Sequence, residues 1–169
     1  HRHVTSLLHR IKTSENGVIC KPVLSFDERG HQKNNMIYYV AGSTENGENP
    51  VSFFPTVASF IGESGTFLAP EALAKNQKGC GAGKEFAGEE ALGAMTFAEI
   101  MLAPGQAQEY IVVSGMTESE EEITRTAEAF HTKEQADAAF IKAKEYWNGL
   151  VNISFETGNP KEDSYLKWI

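Results

Sequence analysis

Aspartate is scarce in this chain: Asp27, Asp137 and Asp163 are the only three among 23 acidic residues, and the other twenty are glutamates. Divalent-metal and phosphoryl-transfer sites draw heavily on aspartate, so the shortage disfavours both. Cations are short as well. Fifteen lysines and arginines leave a formal net charge of −8, whereas binders of nucleic acid or anionic membranes need clustered positive charge to neutralise phosphates. Neither partner is expected. Cysteine is limited to Cys20 and Cys80, with no CxxC and no Cys/His ligand spacing. That pattern points to buried or free thiols in a reducing, cytoplasmic compartment and away from a disulfide framework. No apolar run approaches the roughly 18 residues that a spanning helix needs, and no charged-then-apolar leader opens the sequence.

What is present suits a folded domain. Hydrophobic residues make up 41% and charged residues 22% of 169 positions, enough to bury one core. Residue 1 is His, and the sequence closes on the apolar segment Tyr165-Leu166-Lys167-Trp168-Ile169, so a piece of a longer polypeptide is expected.

Residues 1–115 read as β-rich. Apolar and polar residues alternate imperfectly from Val4 to Lys12, and Asn16-Gly17 is a strong hairpin signal. The return strand is expected over residues 18–26, with Pro22 at an edge or bulge. Asp27-Glu28-Arg29-Gly30 has turn chemistry. Met36-Ile37-Tyr38-Tyr39-Val40-Ala41 predicts a third strand buried on both faces. Residues 43–93 then read as long loops, broken at Asn49-Pro50 and Phe54-Pro55. One helical turn at 56–61 directs Val57, Phe60 and Ile61 inward, and a second follows at Pro70-Glu71-Ala72-Leu73-Ala74. Alternation returns over residues 93–102, and Pro104-Gly105 turns the chain into residues 110–114 as its antiparallel partner.

After Gly115 the period becomes helical. Thr117-Glu118-Ser119-Glu120 and Thr132-Lys133-Glu134-Gln135 both have capping-box form. The first helix presents Ile123, Ala127 and Phe130, the second Ala136, Ala139, Phe140, Ala143 and Trp147, as amphipathic helices lying on something larger. A short strand is expected over residues 151–155, before a break at Gly158-Asn159-Pro160.

Chemistry-bearing motifs are few. Gly79-Cys80-Gly81-Ala82-Gly83-Lys84 fails the phosphate-loop pattern, because Lys78 stands where the first Gly belongs and Glu85 where the hydroxyl belongs. A turned loop is the better reading. His1, His3 and His9 share strand parity but no Cys or Asp converges on them, so surface histidines are expected. His131 is expected to cap the first helix. No Gly-x-Ser-x-Gly elbow surrounds Ser64 or Ser114. Paired carboxylates remain: Glu63, Glu89 and Glu90 lie in the loop-rich region, could meet in space and are the candidate substrate-binding residues, with a solvated or structural role as the commoner reading of each.

Three groups of segments together resemble one family. The first joins Tyr39-Val40-Ala41-Gly42 to Phe60-Ile61-Gly62-Glu63 and Pro70-Glu71-Ala72-Leu73. The second runs from Gly88-Glu89-Glu90-Ala91-Leu92-Gly93-Ala94 to Leu102-Ala103-Pro104-Gly105. The third joins Tyr146-Trp147 and Leu150 to Ser154-Phe155-Glu156-Thr157 and Leu166-Lys167-Trp168. In order and spacing they resemble the N-terminal domain and linker of glycoside hydrolase family 94, formerly glycosyltransferase family 36, and the β-1,2-oligoglucan phosphorylases above all.

The resemblance implies a mainly β fold with C-terminal α: a partial antiparallel β-sandwich of the galactose-mutarotase-like supersandwich type, followed by two amphipathic linker helices. It divides the chain into sandwich at 1–115, linker helices at 116–148 and a lead-in at 149–169. Catalysis in the family sits in a following (α/α)6 barrel, where an Asp protonates the glycosidic oxygen while inorganic phosphate attacks the anomeric carbon. No catalytic residue carries over to this chain, and no metal or cofactor is implied. Many members have an aspartate and an arginine before the Phe-x-Gly segment, where this chain has Pro55-Thr56-Val57-Ala58-Ser59. The expected partners are the catalytic barrel of the same polypeptide, an oligosaccharide and a second copy in a homodimer. The competing class is a stand-alone carbohydrate-binding module with exposed aromatics, and a small hydrolase using Glu63 with Glu89 or Glu90 is a third.

Overall fold

The structure is a computed structural model that describes residues 7–23, 35–150 and 154–168. His1, His3, the turn at Asp27 to Gly30 and most of the strand expected over 151–155 lie outside the described residues. Among the described residues, seven strands and five helices follow one another. β1 (His9–Thr13), β2 (Gly17–Pro22) and β3 (Ile37–Thr44) lead to β4 (Ser52–Thr56), α1 (Val57–Ile61) and α2 (Glu71–Ala74). β5 (Glu85–Ala87), β6 (Ala91–Thr96) and β7 (Tyr110–Thr117) precede α3 (Glu120–Ala129), α4 (Lys133–Leu150) and α5 (Pro160–Trp168). The main sheet has the order β5-β1-β2-β3-β7, and β4 and β6 form a second, two-stranded sheet. All pairings are antiparallel.

The hairpin at Asn16-Gly17 forms in the expected place, with Thr13 opposite Val18, but the glycine is needed for another reason. A Cβ on Gly17 would lie 2.0 Å from the Val40 carbonyl oxygen, so β3 passes too close for any side chain. The hairpin signal was correct and its usual cause, a positive φ, was not.

Strand parity then sets two cores. Ile11 and Val18 face the second sheet and pack on Phe53, with Cys20, Val40, Cys80, Phe86, Ala91 and Met95 around them. Ile19 and Ile37 face the other way and are covered by Ile123 of α3, beside Tyr39. The sheets meet closely where a Cβ on Gly93 would fall 2.0 Å from Val40 Cγ1. α3 covers only part of its face. Among the described residues, the β1, β2 and β5 end of the sheet beyond Ile19 is open and lined by Arg10, Lys12, Lys21 and Glu85.

Several expectations are corrected. Pro55 does not break the chain: it is fully buried within β4, at an irregularity in the β4–β6 register between Phe54 and Thr56 that removes the need for its missing N–H. Residues 43–93 therefore hold the end of β3, all of β4 and β5, the start of β6 and two short helices besides their loops. β3 is not buried on both faces, because the second sheet stops short of its start and leaves Tyr38 exposed opposite the exposed Met116. β6 begins at Ala91 and ends at Thr96, and β7 pairs with β3, not with β6. The helix of residues 120–129 starts at Ser119 without a side-chain cap. Thr117 instead donates to Glu122 and accepts from the Ser119 amide. The second capping box does form: the Thr132 amide donates to Gln135 Oε1 at 2.9 Å and the Gln135 amide to Thr132 Oγ1 at 3.3 Å. α4 rests on the domain only at its start, since none of its residues is buried and Phe140 and Trp147 stay 71% and 65% exposed.

Candidate functional site

The three candidate glutamates gather around α1. Thr56 caps that helix in a reciprocal box with Ser59, fixing its start against the second sheet. The Val57 amide donates to the Glu90 carbonyl at 2.9 Å, which ties Glu90 to the head of α1. Glu89 is held one residue earlier, where its carbonyl accepts from His9 Nδ1 at 3.1 Å. That contact requires the ring proton on Nδ1, and the Gly88 amide returns a bond to the His9 carbonyl at 3.1 Å. His9 is thus a half-buried clasp between an inner strand, β1, and the residues that lead into β6, and not the surface histidine expected. Glu63 follows Gly62, the residue that ends α1. Glu89 and Glu90 are half-buried and Glu63 is exposed. They stand at opposite ends of a helix whose span to residue 63 is about 9 Å at 1.5 Å per residue.

The loop after Glu63 is held stiffly. Glu71 accepts from the Ser64 amide at 3.1 Å and from Lys75 Nζ at 2.8 Å. Lys75 and the Ser64 amide together hold the Glu71 carboxyl below the usual carboxylate range. Thr66 and Ala69 close a two-residue turn with bonds of 3.2 and 3.1 Å. At its tip Leu68 is 99% exposed and Phe67 is exposed beside it. Sequence patterning did not single out this pair, because a turn is read from its polar residues and Phe-Leu carries no turn signal.

The glycine-rich loop at 79–84 is structural. Cys80 forms two backbone bonds with Phe53, at 2.9 and 2.8 Å. The amides of Gly83 and Lys84 both donate to Thr13, to its carbonyl at 2.8 Å and its hydroxyl at 2.9 Å. Amides spent on Thr13 cannot cradle a phosphate, and a strand follows where a phosphate loop needs a helix. Cys20 and Cys80 are free, half-buried thiols, and burial pushes both above the ordinary thiol range. Among the described residues no group of three His, Cys, Asp or Glu side chains could hold a metal ion. No helix among them is long and apolar enough to cross a membrane.

Two facing sheets with a helix over the outer face of the larger one form a sandwich scaffold. The sequence pattern of the glycosyl hydrolase 94 supersandwich domain matches residues 4–133. The chain belongs to that family. The supersandwich match runs through the strands and α3 and ends at Lys133, the first residue of α4. α3, read from the sequence as linker, therefore lies inside the matched domain. No curated protein matches the chain.

Proposed function

We propose that this supersandwich chain is a non-catalytic part of a glycoside phosphorylase, which braces an (α/α)6 catalytic domain of the same polypeptide and lends its loops to one wall of the oligosaccharide cleft. The observation that carries this reading is α4, an 18-residue helix without a buried residue. Ala136, Phe140, Ala143, Trp147 and Leu150 follow one another at alternating four- and three-residue steps, the spacing of a seam made to meet another element. Membership of the supersandwich family, whose resemblance implies a following (α/α)6 barrel, supports that barrel as the element. The parent enzyme would cleave β-linked glucooligosaccharides, of the β-1,2 type by the motif resemblance, with inorganic phosphate as co-substrate, and release a sugar 1-phosphate in the cytoplasm. Glu63, Glu89, Glu90 and the Phe67-Leu68 tip are the cleft-facing groups, and a homodimer would set two such clefts side by side.

The test assays the chain alone for phosphate-dependent release of sugar 1-phosphate, then repeats the assay in the parent polypeptide with Phe140→Lys and Trp147→Lys together. No turnover alone, and a loss in the parent of tenfold or more, about 1.4 kcal/mol, is the expected result. Turnover by the isolated chain would overturn the reading. So would tight binding of β-glucooligosaccharides by the chain with no parent barrel required, which is how a stand-alone module behaves.

A further inference from the structure

We infer that the open end of the five-stranded sheet is a binding site for a phosphate group, presented as the monoester of a small polyhydroxy compound or as the free ion. The site is a concavity of about 410 Å³ on the face that α3 leaves uncovered, within the size range of small-molecule sites. It lies on the opposite face of the main sheet from the second sheet and its α1 glutamates, and it does not depend on the phosphorylase reading.

Its charges are arranged unusually for so acidic a chain. Arg10 and Lys12 share the parity of β1, and Lys21 of β2 stands directly opposite Arg10. Lys12 is compensated: Glu85 faces it from β5 and Glu120 lies 3.7 Å away. Arg10 is not, for its partner on β5 is Ala87 and its partner on β2 is another cation. Among the described residues neither Arg10 nor Lys21 forms an ion pair. Like charges directly opposed across a ladder destabilise a sheet, and such a local conflict is expected where function overrides folding.

An anion between the two removes the conflict. The Arg10 guanidinium is anchored at one edge, where Nη1 donates to the His9 carbonyl at 3.0 Å, and its remaining donors suit the oxygens of a phosphate. Lys21 adds a point charge from the facing strand. Glu85 and Glu120, on the far rim, accept hydrogen bonds but repel a second anion, so they fit the hydroxyl groups of the ligand's body. Ile19 supplies an apolar floor.

Isothermal titration of the chain with inorganic phosphate, glucose 6-phosphate and glucose tests the site. Saturable binding of glucose 6-phosphate with no binding of glucose is the expected result. Equal affinity for inorganic phosphate would support the free ion as ligand, and weaker affinity the monoester. Arg10→Ala and Lys21→Gln should each weaken binding about tenfold or more, the scale of a lost charged hydrogen bond, while Lys142→Gln on α4 leaves it unchanged. Lys21→Glu should raise the melting temperature of the free chain and abolish any further rise on adding ligand, which separates loss of the site from loss of the fold. The proposal fails if no ligand saturates up to about 10 mM, a free energy near −3 kcal/mol. It fails too if glucose binds as well as its phosphate, or if both neutralising variants bind within about twofold of the unaltered chain.

Discussion

Replacing Phe53 by Ala tests the sandwich at the point where most of it converges. The ring is 1% exposed and packs on Ile11 and Val18, the buried pair from the facing sheet. Its backbone bonds to Cys80 would survive, so the loss falls on the ring and on the cavity it leaves. A buried Phe→Ala change costs about 3–5 kcal/mol, against a total stability for a domain of about 5–15 kcal/mol. At roughly 2–4 °C per kcal/mol for a chain of this size, the melting temperature should fall by about 6–20 °C. Urea titration followed by near-ultraviolet circular dichroism measures the difference, with Leu68→Ala as the control. Leu68 is 99% exposed, so its truncation should stay within about 0.5 kcal/mol. A Phe53→Ala cost under about 1 kcal/mol, or equal costs for the two variants, would refute the assignment of Phe53 to the centre of the core.

Three further outcomes follow from the same contacts. Because burial raises the thiols of Cys20 and then Cys80, the unfolded chain ionises first: stability is fully present below about pH 8.5 and declines as pH rises above it, a loss that Cys20→Ser with Cys80→Ser should flatten in a pH series of urea midpoints. Glu71 is held low mainly by Lys75, so its hold on the Ser64 amide should persist above the ordinary carboxylate range and be lost as pH falls below about 4. Glu71→Gln should bring faster hydrogen exchange at Ser64 at neutral pH, and unchanged exchange would show that the turn stands without its staple. Thr132→Ala removes the one complete capping box at α4 and should cost about 1 kcal/mol, read as fraying of the first turn of α4 by amide exchange. Exchange no faster than in the unaltered chain would mean that Lys133 alone holds the turn.

The β-rich first part and the helical last part were legible from periodicity, because strand alternation and 3.6-residue spacing are local properties. Val57, Phe60 and Ile61 point inward as their spacing requires, and Ile123 and Ala127 are buried as theirs does. What periodicity could not carry is pairing. Residues 110–114 and 93–102 are joined by a turn at Pro104-Gly105, yet β7 crosses to β3, where Ile111 and Val113 are half-buried on the face that carries α3. Pro55 was misread for a similar reason, since only the neighbouring strand reveals that its position needs no N–H donor. The candidate glutamates were placed near one another by sequence order alone. The structure puts Glu89 and Glu90 at one end of α1 and Glu63 at the other. The alternation of Arg10 and Lys12 was visible in β1, but the opposed Lys21 appears only with the register.

The start of α4 explains how a helix without a buried residue can still have a fixed direction. The Lys133 amide donates to the Glu45 carbonyl at 2.9 Å, and its Nζ pairs with Glu109 at 2.8 Å and Asp137 at 3.2 Å. Ser43 Oγ donates to the His131 carbonyl at 2.7 Å just before it. These bonds tie one turn of helix to the end of β3, the residue preceding β7 and the loop after β3 at once. Each exposed ion pair is weak alone. Their combined effect is geometric: they fix the line along which Phe140, Ala143 and Trp147 are presented, while leaving that seam free of the sandwich. A helix that merely ended the domain would need no such fixing. A first turn locked in place with a bare far face beyond it suits the docking proposed above for this helix, in which one orientation must be held.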